Sequence, residues 1–350
     1  MVTGVGGIVG QAIVKCLKMA NAKRQRSLHY NIIGVDASSL SAGLYLVDKG
    51  AIVPKARDPE FIRSISALIK RFDVKAVFIG TDLELNIISK NKIAIEENTG
   101  AKILVSPTKA IEIARDKWNT FKFLKNKGFA CPDSSLPRNL KKFINTHDFP
   151  LVVKPREGFG SVEFHISNNI SELEQSINNI ERVGWQPIIQ EYLGPNDEFT
   201  TGVCVDNLGK QVMSSISIKK YLKNGQTYKA FIDDFTEVRI LSERIALALG
   251  VRGAVNIQSK ISDGINKVFE INPRLSATCA MRAAAGINEP DLLFRNIALG
   301  EFIKIDEYKK LVCMRYWDEI SIEKEKYQKN LEDWNVRTDW LKFQTDSHIP

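Results

Sequence analysis

Short apolar runs alternate with helical periodicities through the first hundred residues of this 350-residue chain. Asn31 to Val35, Ala76 to Ile79 and Lys102 to Val105 are near-continuous apolar stretches of strand length, as expected for strands covered on both faces. Amphipathic patterns lie between them, so the pattern predicts a βαβ-type parallel sheet. The chain opens on Val2-Thr3-Gly4-Val5-Gly6-Gly7-Ile8-Val9-Gly10, a glycine turn feeding a helix that carries Ile13, Val14 and Leu17. Only Met1, Val2 and Thr3 precede that turn, fewer than the roughly five residues usual for a strand. Either the first strand is clipped or the start lies upstream.

The pattern changes after residue 105. Ser106-Pro107 reads as a helix entry, with Ser as N-cap and Pro in the first turn of a charged helical stretch ending at Gly128. The domain boundary is placed there. Pro150 to Pro155 reads as a strand, followed by the glycine loop Glu157-Gly158-Phe159-Gly160-Ser161 and a helix from Ile170 to Val183. Pro187 to Tyr192 and Glu198 to Val205 are further strands. Thr236 to Leu249 places Val238, Leu241, Ile245 and Leu249 on one helix side, with Gly250 as its stop. Ala254 to Ile261 and Lys267 to Asn272 predict a β-hairpin around Ser262-Asp263-Gly264. The tail from Glu301 reads as a strand, Leu311 to Trp317, and a charged helix, with Trp334 and Trp340 as packing anchors.

The hairpin carries the most chemistry. Strand side chains alternate, so Asn256 and Gln258 share one face, and so do Glu270 and Asn272, while Ile257, Phe269 and Ile271 are expected in a core. An odd-length loop is expected to bring both polar sets to one side. One carboxylate and two amide oxygens suit a hard cation such as Mg²⁺, which usually takes one or two protein carboxylates besides phosphates and water. Arg274, just beyond, is shaped to hold a phosphate oxygen. The plain alternative is a solvated hairpin face. Lys154 closes an apolar strand beside Gly158 and Gly160, which puts an ammonium next to a backbone that approaches anions closely.

Composition narrows the setting. Content of 44% hydrophobic and 26% charged residues is that of an ordinary globular protein. No apolar run of about 18 residues and no signal-peptide pattern is present, so a cytoplasmic protein without a membrane partner is expected. Five widely spaced cysteines without a Cys-x-x-Cys pair read as buried free thiols. The net charge of +8 is spread along the chain, favouring a small anionic substrate over nucleic acid.

In their order these motifs resemble an ATP-grasp ligase, in particular one half of the carbamoyl-phosphate synthase large subunit and its short stand-alone relatives, over roughly residues 2 to 300. The resemblance implies an α/β (α+β ATP-grasp) fold. Its parts would be a parallel-sheet pre-ATP-grasp domain at 1–106, an ATP-grasp domain at 107–300 and a C-terminal extension at 301–350. Within the ATP-grasp domain, a glycine-loop lid is implied at about 129–190 and a metal-binding part at about 191–300. The cofactors implied are ATP with Mg²⁺ or Mn²⁺. Lys117 of Asp116-Lys117 and Lys154 would reach the phosphates, under a loop including Glu157, Gly158, Gly160 and Ser161. Gln190, Glu191, Tyr192 and Leu193 resemble the adenine-reading hinge, Glu198 the ribose carboxylate, and Lys220 with Gly225-Gln226-Thr227 a loop over the phosphates. Gln258, Glu270 and Asn272 correspond to metal ligands and Arg274 to a phosphate-contacting arginine.

The N-terminal domain would bind the non-nucleotide substrate, through Gly6 and Gly7 and through Asp82 or Glu84, whose place after a strand end suits an ammonium group. Arg282 faces the acceptor carboxylate on this reading, or is a plain helix-surface arginine. The activity implied is amide formation between a carboxylate and an amine through an acyl phosphate, on an amino acid or a sugar acid. Homodimerisation is compatible with it. Three rivals remain: a split carbamoyl-phosphate synthase subunit, a non-catalytic nucleotide sensor, and an NAD(P) oxidoreductase built on Gly4, Gly6, Gly10 and Asp36.

Overall fold

The computed structural model describes residues 1–23, 28–158, 162–195, 197–316 and 318–334. Gly160, Ser161, Trp317 and Trp340 lie outside them. Three sheets organise the chain. The first is parallel and five-stranded, in the order Lys49–Ile52, Ile33–Asp36, Val2–Thr3, Ala76–Phe78, Lys102–Leu104. Its order reverses between Val2–Thr3 and Ala76–Phe78, and such a switch point leaves a crevice beyond the strand ends. The glycine turn and the loop leading into helix Asp82–Thr99 both sit at that crevice.

The turn's glycines are there for packing. A Cβ on Gly10 would meet the carbonyl oxygen of Gly4 at 2.4 Å, and one on Gly80 the carbonyl oxygen of Thr3 at 2.1 Å. Above Gly6 the space is already filled by Ser41 Oγ, 2.3 Å from where a Cβ would stand. The Gly6 N–H donates to Asp36 Oδ2 (2.7 Å), and Asp36 Oδ1 accepts from the Ser38 N–H (3.1 Å). A dinucleotide needs its pyrophosphate against the second glycine and its ribose on the acid. Both positions are in use within the protein, which tells against the oxidoreductase rival.

Residues 106–128 form two helices, Thr108–Arg115 and Lys117–Asn126, broken at Asp116, whose backbone is extended. Ser106 is not the cap expected of it. Pro107 occupies that position, while Ser106 Oγ donates to the carbonyl of Arg252 (3.1 Å), tying the boundary to the later sheet. Asp116 is the cap of the second helix, accepting from the Trp118 N–H (2.9 Å).

The second sheet is antiparallel, in the order Ser134–Ser135, Pro187–Glu191, Leu151–Pro155, His165–Ser167, and is backed by helix Ile170–Arg182. The third has six antiparallel strands: Ile265–Asn272, Gly253–Ser262, Glu198–Val205, Val212–Lys223, Gln226–Ile232 and Leu311–Met314. Helix Thr236–Leu249 covers one face with Val238, Ile245 and Leu249 and stops at Gly250, where φ is +72°. Helices Cys279–Ala285 and Glu289–Leu299 lie against Ile8–Asn21, so one apolar cluster joins the first and third sheets. Trp334 is buried, edge-on to Tyr45 at 5.0 Å and beneath Gly50, an anchor as expected. Four of the five cysteines are buried and none is bonded.

The hairpin reaches its polar face by a different route from the one its sequence suggests. Its turn is the two-residue Asp263-Gly264, both at positive φ, with Ser262 opposite Ile265. A regular ladder from that turn would set Gln258 against Phe269. Instead the register shifts between Gln258 and Ser259, Phe269 is left without a partner, and Gln258 stands opposite Glu270 and Asn256 opposite Asn272. Phe269 therefore leaves the core and lines a cleft, and Val268 is buried in its stead.

Candidate functional site

A cleft of about 400 Å³ opens between the second and third sheets. Lys117, Lys154, Lys220 and Lys260 line it together with Glu191, Glu198 and Glu270. Each side chain is fixed by its element. Lys154 lies on the central strand of the second sheet, 8% exposed, its Nζ 5.5 Å from the centre of the Phe269 ring. Lys117 opens its helix because Asp116 caps it, and its Nζ donates to the Gly158 carbonyl (3.2 Å). Asp116 also takes both Nε (3.1 Å) and Nη2 of Arg156, so one acid holds the helix start to the end of the lysine strand.

Glu198 pairs across the ladder with Lys220 on one side and Lys260 on the other, at 2.8 and 3.6 Å between charged atoms. Lys220 Nζ further donates to Gln258 Oε1 (2.5 Å). Gln258 Nε2 (3.1 Å) and Asn272 Nδ2 (2.8 Å) both donate to Glu270 Oε1. Burial alone would raise the Glu270 pKa, but Lys117, the Asn272 hydrogen bond, Lys154 and Lys220 together hold it below the usual range. It is thus an ionised carboxylate inside a lysine-rich cleft. No group of three or more His, Cys, Asp or Glu side chains suited to a metal occurs among the described residues. One carboxylate with two amide side chains fits instead a hard cation that draws its remaining ligands from phosphate oxygens and water.

Burial, with Lys117 nearby, lowers Lys154 to about 7, against the opposing pull of Glu270 and Glu198. The lysine's unfolded pKa is higher, so between about 7 and 10.5 the unfolded chain binds the extra proton, and this group's contribution to stability rises with pH across that window. A polyanion in the cleft reverses the bias. MgATP binding at pH 8 is expected to take up a proton, read by calorimetry as a dependence of binding heat on the ionisation enthalpy of the buffer; a heat independent of buffer would rule this out.

At the end of strand Pro187–Glu191, Gln190 is buried and donates to Ser134 Oγ (2.8 Å), and Glu191 is held by Lys267 (2.5 Å) and the Asp133 N–H (3.2 Å). Tyr192 and Leu193 line the cleft. Gly158 lines it as well, but Glu157 turns away to pair with Arg115 (2.6 Å), half-exposed.

Two expected residues have other work. Arg282 is neither on a helix surface nor facing a cleft: at 1% exposure, its Nε and Nη2 donate to the two Glu289 oxygens (2.9 Å each), with Thr278 and Ser276 taking further N–H groups. The pair rests on Gly202, where a Cβ would stand 2.0 Å from Glu289 Oε1. Asp82 is not an open ammonium site. It receives Arg274 Nε (2.8 Å) and Nη2 (2.7 Å), joining the N-terminal domain to the hairpin. Glu84 lies under the same crevice, 7% exposed, accepting from Thr3 Oγ1, and burial raises it to about 7. Gly7 is exposed at the helix start, beside Gly6.

Lys260 and Phe269 line the cleft but are not read as such from the sequence, while Asn256, which alternation puts on the polar face, is 3% exposed and accepts from Thr200 Oγ1 (2.7 Å). The alternation that pairs Asn256 with Gln258 extends to Lys260, so that signal was present; the bulge that exposes Phe269 left none.

The chain carries an ATP-grasp domain. Residues 114–278 match the ATP-grasp domain, and residues 7–104 match the PylC-like N-terminal domain. It is 24% identical over 247 residues to the carbamoyl phosphate synthase large chain of Thermoplasma acidophilum, a match covering 65% of this chain and 23% of that protein. The chain thus spans about a quarter of the length of that relative. Among solved structures it is similar to the Staphylococcus aureus N5-carboxyaminoimidazole synthetase complexed with ADP, with a TM-score of 0.70 and 16% identity over 99% of this chain and 86% of that one. It is also similar to the L-amino acid ligase of Bacillus licheniformis, with a TM-score of 0.63 and 17% identity over 85% and 73% of the two chains. Those two likenesses are of fold. No helix among the described residues is long and apolar enough to cross a membrane.

Proposed function

We propose that the protein is an ATP-dependent carboxylate–amine ligase acting on an amino acid or sugar acid. What carries the reading is that Lys154 from one sheet, and Glu270, Gln258 and Lys220 from another, face a single cleft. Lys117 and Lys154 take the nucleotide phosphates, Glu198 the ribose hydroxyls, and the Gln190 to Leu193 backbone the adenine edge. Gln258, Glu270 and Asn272 hold Mg²⁺ or Mn²⁺, which when bound supplies positive charge against the phosphates. A substrate carboxylate oxygen attacks the γ-phosphorus and the bond to the β-phosphate bridging oxygen breaks, releasing ADP. The amine nitrogen then attacks the acyl carbon, phosphate leaves, and the nitrogen gives up its proton. No protein nucleophile is required. Lys154, Lys220 and Arg274 lower the cost of bringing two anions together.

The two readings of the acid separate in one assay. ADP release measured against the twenty L-amino acids, pooled and then paired, with sugar acids alongside, is expected to require both a carboxylate and an amine. ADP formed in no combination would sink the ligase reading. A second reading, a split subunit of a carbamoyl-phosphate synthase type, is favoured by the relatives of that name. It predicts ADP release with bicarbonate and ammonia and with none of the other pairs.

A further inference from the structure

The substrate domain and the metal hairpin are joined by an unbroken string of hydrogen bonds. Asp82, the first residue of helix Asp82–Thr99, takes two N–H groups of Arg274, 192 residues away. Arg274 Nη1 donates to the Leu275 carbonyl (3.0 Å), and Nη2 also stands 3.5 Å from Asn272 Oδ1. Asn272 binds Glu270, Glu270 binds Gln258, and Gln258 binds Lys220 in the cleft. A guanidinium has five N–H groups. Three of Arg274's are engaged by Asp82 and Leu275, which fixes the plane and turns Nη2 toward Asn272 as well. Arginine is a long side chain with many rotamers, and a two-point fork removes most of that freedom before any ligand arrives.

We infer that Asp82 is a positioning residue for Arg274: the loop of the substrate domain, rather than the hairpin alone, sets the arginine that meets the terminal phosphate of the nucleotide. The inference rests on the ATP-dependent reading above. It has a sign that separates it from simple charge. Asp82 is an anion bound to the arginine proposed to meet the phosphate, so its removal should tighten phosphate binding if it merely competes for Arg274. If it orients Arg274, removal should loosen binding, and only for a ligand with a third phosphate.

The test compares the Mg²⁺ complexes of ADP and of the non-hydrolysable β,γ-imido analogue of ATP by titration calorimetry. In the wild type the analogue is expected to bind more tightly than ADP. Asp82→Asn is expected to weaken the analogue about five- to tenfold, the loss of one charge-assisted contact, with ADP held within about twofold. Unchanged or tighter analogue binding by the variant overturns the inference, and so does a wild type that binds the two ligands equally. Retained ADP binding shows that the variant is folded. Should it not fold, Asp82→Glu carries the test, since it keeps the charge but moves the fork by one methylene: a loss confined to the analogue supports positioning, and an equal loss or none overturns it. A wild type that binds neither ligand removes the ATP reading itself, and this inference with it.

Discussion

Glu270→Gln is expected to lower ATP-dependent turnover by roughly a thousandfold, because it removes the one carboxylate in the proposed cation set and the counter-charge of three lysines at once. The substitution keeps the side chain's shape and its hydrogen-bonding reach to Gln258 and Asn272. The fold should therefore persist, and thermal melting of the variant should stay within a few degrees of the wild type. The measurement is ADP release under the most active substrate pair, with added Mn²⁺ as a check on weakened cation affinity. Turnover within tenfold of wild type would remove Glu270 from the reaction, and with it the proposed cation set.

The second large effect concerns stability rather than turnover. Glu289→Ala leaves the Arg282 guanidinium, 1% exposed, without its carboxylate, and breaking a buried pair in this way typically costs about 3–5 kcal/mol. Replacing both members by apolar residues of similar volume, Arg282→Met with Glu289→Leu, is expected to cost less than the single change, since no charge is then stranded. Denaturant melts of the wild type and both variants decide this. A single variant within about 1 kcal/mol of wild type would mean that the pair is open to water.

How far the sequence reveals this molecule depends on the range over which each feature is determined. Glu198–Val205 and Thr236–Leu249 match their expected bounds, because periodicity and a terminating glycine are local signals. Alternation likewise marks the polar side of each hairpin strand, but the register shift that brings Gln258 opposite Glu270 and frees Phe269 is not written in it. By contrast, Val212–Lys223 carries Ser214, Ser215 and Ser217 among its apolar residues, all buried. Ser217 and Thr201 satisfy each other at 2.8 Å, so a strand enclosed on both faces lacks the alternation that marks one. Helix Cys279–Ala285 is short, and its own sequence leaves Arg282 looking like a helix-surface residue. Its burial depends on Glu289 from the next helix and on the missing side chain of Gly202. The Arg274 fork to Asp82 spans 192 residues, and nothing in either neighbourhood announces it.

On the proposed ligase reading, that fork also constrains how the nucleotide and a ligand of the N-terminal domain influence each other. Thermodynamic linkage is symmetric: whatever factor a bound nucleotide adds to the affinity of the N-terminal domain for a ligand, that ligand must add to the affinity for nucleotide. A chain of rigid contacts running from Asp82 to Lys220 gives such a factor a physical path. Apparent order of addition in steady-state kinetics would then reflect mutual tightening, and measuring either half of the cycle fixes the other.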